Sequence, residues 1–265
     1  SILLSAIYML LSYWFIAAVL KDIRARQDLR KATSVRFLKS SLFFLALSTI
    51  GIWAMGPIMA SGLRATAWYY GAVQFFLHFQ FNGWFVFSLL ALMFKIFEDH
   101  NILVNLKNNN RFHIFLTISC FLTYALSVTW STPDNLLFWA NSIGVLLQAV
   151  ALFYFWKIIK LAAPDARKSF QSWHFGLWGI AFFCLGFKIF IQTLVAIPAL
   201  AILSYTIRNF VIGFIHLLML GAFSTFIFGL MRYSNFKTSK LGIIILLLGF
   251  LLTEIFLFGQ GTLIW

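Results

Sequence analysis

A chain of 265 residues that is 62% hydrophobic and only 10% charged is not a water-soluble globular domain. Its net charge of +13 could suggest nucleic acid, but the basic residues fall mostly between apolar runs, so the charge is a topology signal. The two cysteines, Cys120 and Cys184, both lie inside apolar runs and offer neither a disulfide framework nor a metal spacing.

Runs apolar and long enough to cross ~30 Å of hydrocarbon recur eight times, at about 2–20, 40–60, 68–94, 113–131, 136–157, 173–197, 206–231 and 241–264. Helices are the form such runs take in lipid, because a helix satisfies its own backbone groups. The expected fold is all-α: a polytopic integral membrane protein of about eight transmembrane helices. The 33 phenylalanines suit lipid-facing and interhelical packing. The first run is not a signal peptide, since it has no basic leading segment and no small-residue cleavage site. Further helices are expected before residue 1.

The loops alternate in charge. Lys21, Arg24, Arg26, Arg30, Lys31, Arg36 and Lys39 surround the first loop, and Lys95, Lys107 and Arg111 the third. Lys157, Lys160, Arg167 and Lys168 surround the fifth, and Arg232, Lys237 and Lys240 the seventh. The positive-inside rule makes this side cytoplasmic and puts both ends of the chain outside, with a bacterial inner membrane as the expected location. Trp68, Trp130, Trp173 and Trp265 near span ends fit an aromatic belt.

Two spans resemble one another. Residues 73–93 align with 211–231 on His78 and His216, with Val73/Val211, Phe76/Phe214, Gly83/Gly221, Phe85/Phe223, Leu92/Leu230 and Met93/Met231 also identical. Pro57 and Pro198 each lie about twenty residues before a histidine. The chain therefore reads as two parallel four-helix repeats, 1–135 and 136–265, forming one membrane domain.

Depth puts the unusual residues in one layer. His78 lies seventeen residues before Lys95 and His216 sixteen before Arg232, roughly 25 Å along a helix. Lys188 and Glu254 fall at similar depth in spans 6 and 8. A histidine in mid-membrane is a functional-site hypothesis by default. Two of them at equal depth on parallel helices suit bis-axial haem ligation, with the macrocycle between spans 3 and 7. Gly83 and Gly221 would relieve packing against a flat ring, and Phe76, Phe85, Phe214 and Phe223 would line it. The plain alternative is a pair of hydrogen-bonding histidines. Arg208, and Arg64 less deeply, could meet haem propionates, or could snorkel to headgroups. Lys188 and Glu254 read as a buried ion pair, or as a proton site. His113 and His174 begin spans at the inner interface and could face each other; His100 is in a loop.

At the second histidine, Gly213-Phe214-Ile215-His216-Leu217-Leu218-Met219-Leu220-Gly221-Ala222-Phe223, followed by Met231-Arg232, resembles the NnrS family. It is also similar to the tenth helix of haem-copper oxidase subunit I. His78-Phe79-Gln80-Phe81-Asn82-Gly83-Trp84-Phe85 is similar to the early helix that supplies the other low-spin haem ligand in those oxidases. The resemblance covers two helices. It implies a b-type haem held by His78 and His216, acting in respiratory electron transfer or nitric-oxide handling. Phe214 stands where the oxidases have their high-spin haem ligand, and no trio of histidines is present, so no copper centre is expected.

The expected function is thus a membrane haem b protein with an electron donor or acceptor, or partner subunits, in the bilayer. The alternatives are a haem-free transporter or proton-coupled membrane protein, in which the histidines, Lys188 and Glu254 bind substrate or relay protons, and a structural subunit of a larger respiratory complex. No nucleic-acid partner is expected.

Overall fold

The computed structural model describes residues 2–26, 31–129, 134–234 and 236–262. Arg30, Trp130 and Trp265, singled out above, lie outside them. Among the described residues, eight helices are long and apolar enough to cross a membrane. They are Leu3–Ala25 (span 1), Thr33–Ala60 (span 2), Ala67–Asp99 (span 3), Leu106–Thr129 (span 4), Asn135–Ser169 (span 5), Ser172–Leu194 (span 6), Arg208–Tyr233 (span 7) and Lys240–Gly261 (span 8). The protein is an all-α polytopic integral membrane protein. Several helices outrun the apolar stretches that define them, because a helix can continue into the interface once lipid no longer demands apolar side chains.

Consecutive spans are neighbours throughout, and spans 3 and 7 also touch, at the segments that follow their histidines. The core is aromatic. Phe37, Phe44, Phe87, Phe94 and Phe112 are fully buried, and the rings of Phe37 and Phe94 stack with centroids 4.9 Å apart. In lipid such contacts gain nothing from leaving water; dense van der Waals packing holds them together.

The end of the bundle that carries most of the basic residues, here the basic end, is tied by polar contacts between spans. Glu98 at the end of span 3 accepts from the Ser34 backbone N–H at 3.0 Å and from its hydroxyl at 2.5 Å, closing the unsatisfied start of span 2. His100 Nε2 and the Tyr233 hydroxyl are 2.7 Å apart, which links the loop after span 3 to the end of span 7. Asn105 and Ser239 cap the starts of spans 4 and 8 with their side-chain oxygens. His113 and His174 do not face each other. His113 bonds Ser40 on span 2 at 2.8 Å, and His174 is itself buried.

The two prolines act differently despite their matching spacing. Pro57 lies inside span 2, one turn before its end, where its carbonyl accepts from the Ser61 N–H at 2.9 Å. Pro198 opens a separate short helix, Pro198–Thr206, where its missing N–H costs nothing.

A closer likeness appears at the histidines. His78 is the last α-helical residue before a π-helical stretch, Phe79–Phe85, and His216 the last before another, Leu217–Ser224. Wide turns of this kind occur frequently at functional sites. Ser224 and Thr225 turn their hydroxyls back to carbonyls five residues earlier, Met219 at 2.8 Å and Leu220 at 3.2 Å.

Candidate intramembrane polar site

His78 is 7% exposed and sits in mid-span, so its ring must find partners within the protein. Its Nε2 lies 2.8 Å from the backbone carbonyl of Cys120 on span 4. A carbonyl only accepts, so Nε2 carries the proton and Nδ1 the lone pair. Asn82, one turn on, offers its amide N–H to that Nδ1 at 3.4 Å. The same amide turns its oxygen to Lys188 of span 6, whose ammonium donates at 2.6 Å. A chain of polar contacts thus crosses three spans, from the Cys120 carbonyl through His78 and Asn82 to Lys188.

Lys188 is 5% exposed, and among the described residues no carboxylate pairs with it. The expected ion pair with Glu254 does not form. The two residues share a depth, but Lys188 is turned to span 3, whereas Glu254 is turned to span 7. The cluster opens on a cavity of about 340 Å³, lined by His78, Asn82 and Lys188 together with Gln74, Gln192 and Tyr205. The side-chain oxygen of Gln192 is buried there without a partner. The short helix Pro198–Thr206 contributes Ser204 and Tyr205, so the cavity lies toward the end of the bundle opposite the basic one.

His216 occupies the corresponding place in span 7 but meets different chemistry. Its Nδ1 lies 3.7 Å from Glu254 Oε1 on span 8, too far for a hydrogen bond. That nitrogen and both carboxylate oxygens of Glu254 are buried with no hydrogen-bond partner. Each histidine therefore reaches toward the span that follows its own: His78 toward span 4, His216 toward span 8.

The residues assigned to a haem between spans 3 and 7 meet other parts of the protein. His78 has Nε2 2.8 Å from the Cys120 carbonyl and Nδ1 3.4 Å from the Asn82 amide nitrogen. Phe85 and Phe223 meet edge to face with centroids 4.9 Å apart and fill the contact between the two spans. Phe76 packs against Tyr8 of span 1, at 6.2 Å. Phe214 lines the polar cavity. Gly83 and Gly221 admit helices rather than a flat ring: a Cβ at Gly83 would come 2.6 Å from Phe44, and one at Gly221 2.7 Å from Phe250. Arg64, in the turn before span 3, and Arg208, at the start of span 7, are both exposed. Among the described residues no three His, Cys, Asp or Glu side chains come together as a metal site.

Sequence reasoning placed His78 and Lys188 in one layer but assigned no part to Asn82. A polar amide one helical turn from a buried histidine was the available signal, since such positions share a face. Gln74, one turn before His78, carried the same signal.

Comparison with known protein families, with curated proteins and with solved structures finds no match to this chain.

Proposed function

We propose that this chain is a proton-coupled membrane protein of the transporter kind, which binds a small anionic solute at the His78–Asn82–Lys188 cluster. The observation that carries the reading is Lys188: a buried ammonium in mid-span, with an amide oxygen as partner and no carboxylate. Ionisable groups at that depth are costly and mark substrate, ion or proton pathways. A protonated Lys188 has three donors, of which one goes to Asn82, leaving two for a carboxylate or comparable anion in the cavity it lines. An anion bound there would neutralise the charge that the protein leaves unpaired. Proton gain and loss at Lys188 would then couple to solute binding and release.

The positive-inside rule favours cytoplasmic basic loops, which would make the cavity accessible from the opposite face of the membrane. The haem reading implied by the NnrS-like and oxidase-like resemblance has less support, because His78 reaches toward span 4 and His216 toward span 8.

The test is proton movement into proteoliposomes that hold a trapped pH-sensitive dye, driven by gradients of small carboxylates or inorganic anions. Anion-dependent acidification is expected, lost in Lys188→Met and partly kept in Lys188→Arg. Acidification that is equally fast in Lys188→Met would overturn the proposal. So would a Soret absorption band in the purified protein that disappears in both His78→Ala and His216→Ala.

A further inference from the structure

Away from the polar site, spans 5 and 6 enclose a second cavity, of about 430 Å³ and almost wholly apolar. Small residues leave it open. Ala162, Ala163 and Ala166 line it from span 5, and Gly179 and Gly186 from span 6. A Cβ built at Gly179 meets nothing within 4 Å, and one at Gly186 meets only Leu152, at 3.5 Å, so no neighbouring helix closes the trough. From Phe175 to Phe190 it runs fifteen residues along span 6, roughly 22 Å, against ~15 Å for half the hydrocarbon core.

At the basic end the trough continues into a second hollow, which shares Trp156, Ile159, Ala163 and Phe175 with it. There the lining changes character to Lys160, Arg167 and Lys168. All three are exposed, and among the described residues none pairs with a carboxylate, although Asp165 lies on the same stretch of helix. Arg167 stands over the Phe175 ring, 5.7 Å from its centroid, at the junction of the two hollows. An apolar trough of acyl-chain length thus ends in three uncompensated cations at headgroup depth.

We propose that this groove is a binding site for an anionic phospholipid, with an acyl chain along the trough and the phosphate at Lys160, Arg167 and Lys168. Basic pockets at the ends of membrane helices recognise lipid phosphates in this way. The charge argues against a second copy of this chain as the occupant. A chain of net charge +13 that brought the same face to a two-fold contact would set these cations against their own counterparts.

Native mass spectrometry of the detergent-purified chain, titrated with palmitoyl-oleoyl phosphatidylglycerol or phosphatidylcholine, tests the site. Each basic residue near a membrane surface favours anionic lipid roughly five-fold, so phosphatidylglycerol should be retained roughly a hundredfold more strongly. The combined Lys160→Gln, Arg167→Gln and Lys168→Gln variant should lose that preference while still binding both lipids weakly. Gly179→Leu, which enters open space, should weaken both lipids alike; monodisperse elution checks its fold. Equal retention of the two lipids by the unaltered chain would overturn the proposal. So would a preference that survives in the triple variant, or a lipid-free dimer that Gly179→Leu dissociates. Should Gly179→Leu not fold, the triple variant, whose altered side chains are exposed, decides alone.

Discussion

The Lys188 ammonium lies 2.6 Å from the side-chain oxygen of Asn82, across the contact between spans 6 and 3. Asn82 is the acceptor this buried cation has, so removing the amide should cost more than removing the charge. A lost hydrogen bond to a charged group is worth about 1.5–3 kcal/mol. Asn82→Leu should therefore lower the thermal midpoint in detergent, and adding Lys188→Met should recover most of the loss. A double variant no more stable than Asn82→Leu alone would show that the contact does not hold the two spans together.

The two histidines should not be equivalent under mutation. His78→Ala removes the partner of the Cys120 carbonyl and leaves Asn82 with one contact fewer, at about 1–3 kcal/mol. His216 makes no hydrogen bond to Glu254 through Nδ1, so His216→Ala should cost clearly less. Parallel thermal unfolding of the two variants measures the difference. Equal and large losses would point to a shared ligand between the spans.

Glu254 is 8% exposed and has no hydrogen-bond partner for either oxygen. Its carboxyl should be protonated in the membrane, since an unpaired carboxylate in lipid is far more costly than a neutral acid. Glu254→Gln should then leave stability within about 1 kcal/mol of the native chain. Dicyclohexylcarbodiimide, which enters lipid and reacts with protonated carboxyls, should label Glu254, as peptide mass spectrometry would detect. A destabilisation of several kcal/mol in Glu254→Gln would instead mean that the ionised form is the one the fold needs.

Gly83 and Gly221 should reject even a methyl group. A Cβ at Gly83 would come within 2.6 Å of Phe44, and at Gly221 within 2.9 Å of Cys184 Sγ. Overpacking of this kind costs about 1–3 kcal/mol. Gly83→Ala and Gly221→Ala should lower the thermal midpoint, whereas Gly176→Ala, with nothing within 4 Å, should not.

Depth was legible in the sequence, and rotation about the helix axis was not. Each residue advances a helix by about 1.5 Å, so counting from Lys95 and Arg232 placed His78 and His216 at matching depths. The eight spans were legible for a similar reason, because hydropathy is a one-dimensional property. Which neighbour a side chain faces depends on azimuth, and here each histidine helix changes winding immediately after the histidine. That is why a facing pair of histidines and a Lys188–Glu254 pair followed from the sequence, while the structure turns His78 to Cys120, Lys188 to Asn82, and His216 and Glu254 toward each other. Asn82 was visible at one turn from His78, but its second contact, to a residue 106 positions away, was not.

The π-helical stretches carry a consequence for the chain's length. A wide turn accommodates one residue more than regular winding would over the same rise, so each histidine helix in effect contains an insertion. Winding 79–85 regularly with every residue kept would swing everything beyond by roughly 100° relative to the histidine, whereas excising one residue would let span 3 wind regularly with its face kept. The wide turn is therefore what keeps the face with Val86, Leu89, Leu90 and Met93 in the core. A related chain with a single-residue gap at either place can thus keep this packing, with a regular α-helix where this chain has the wide turn.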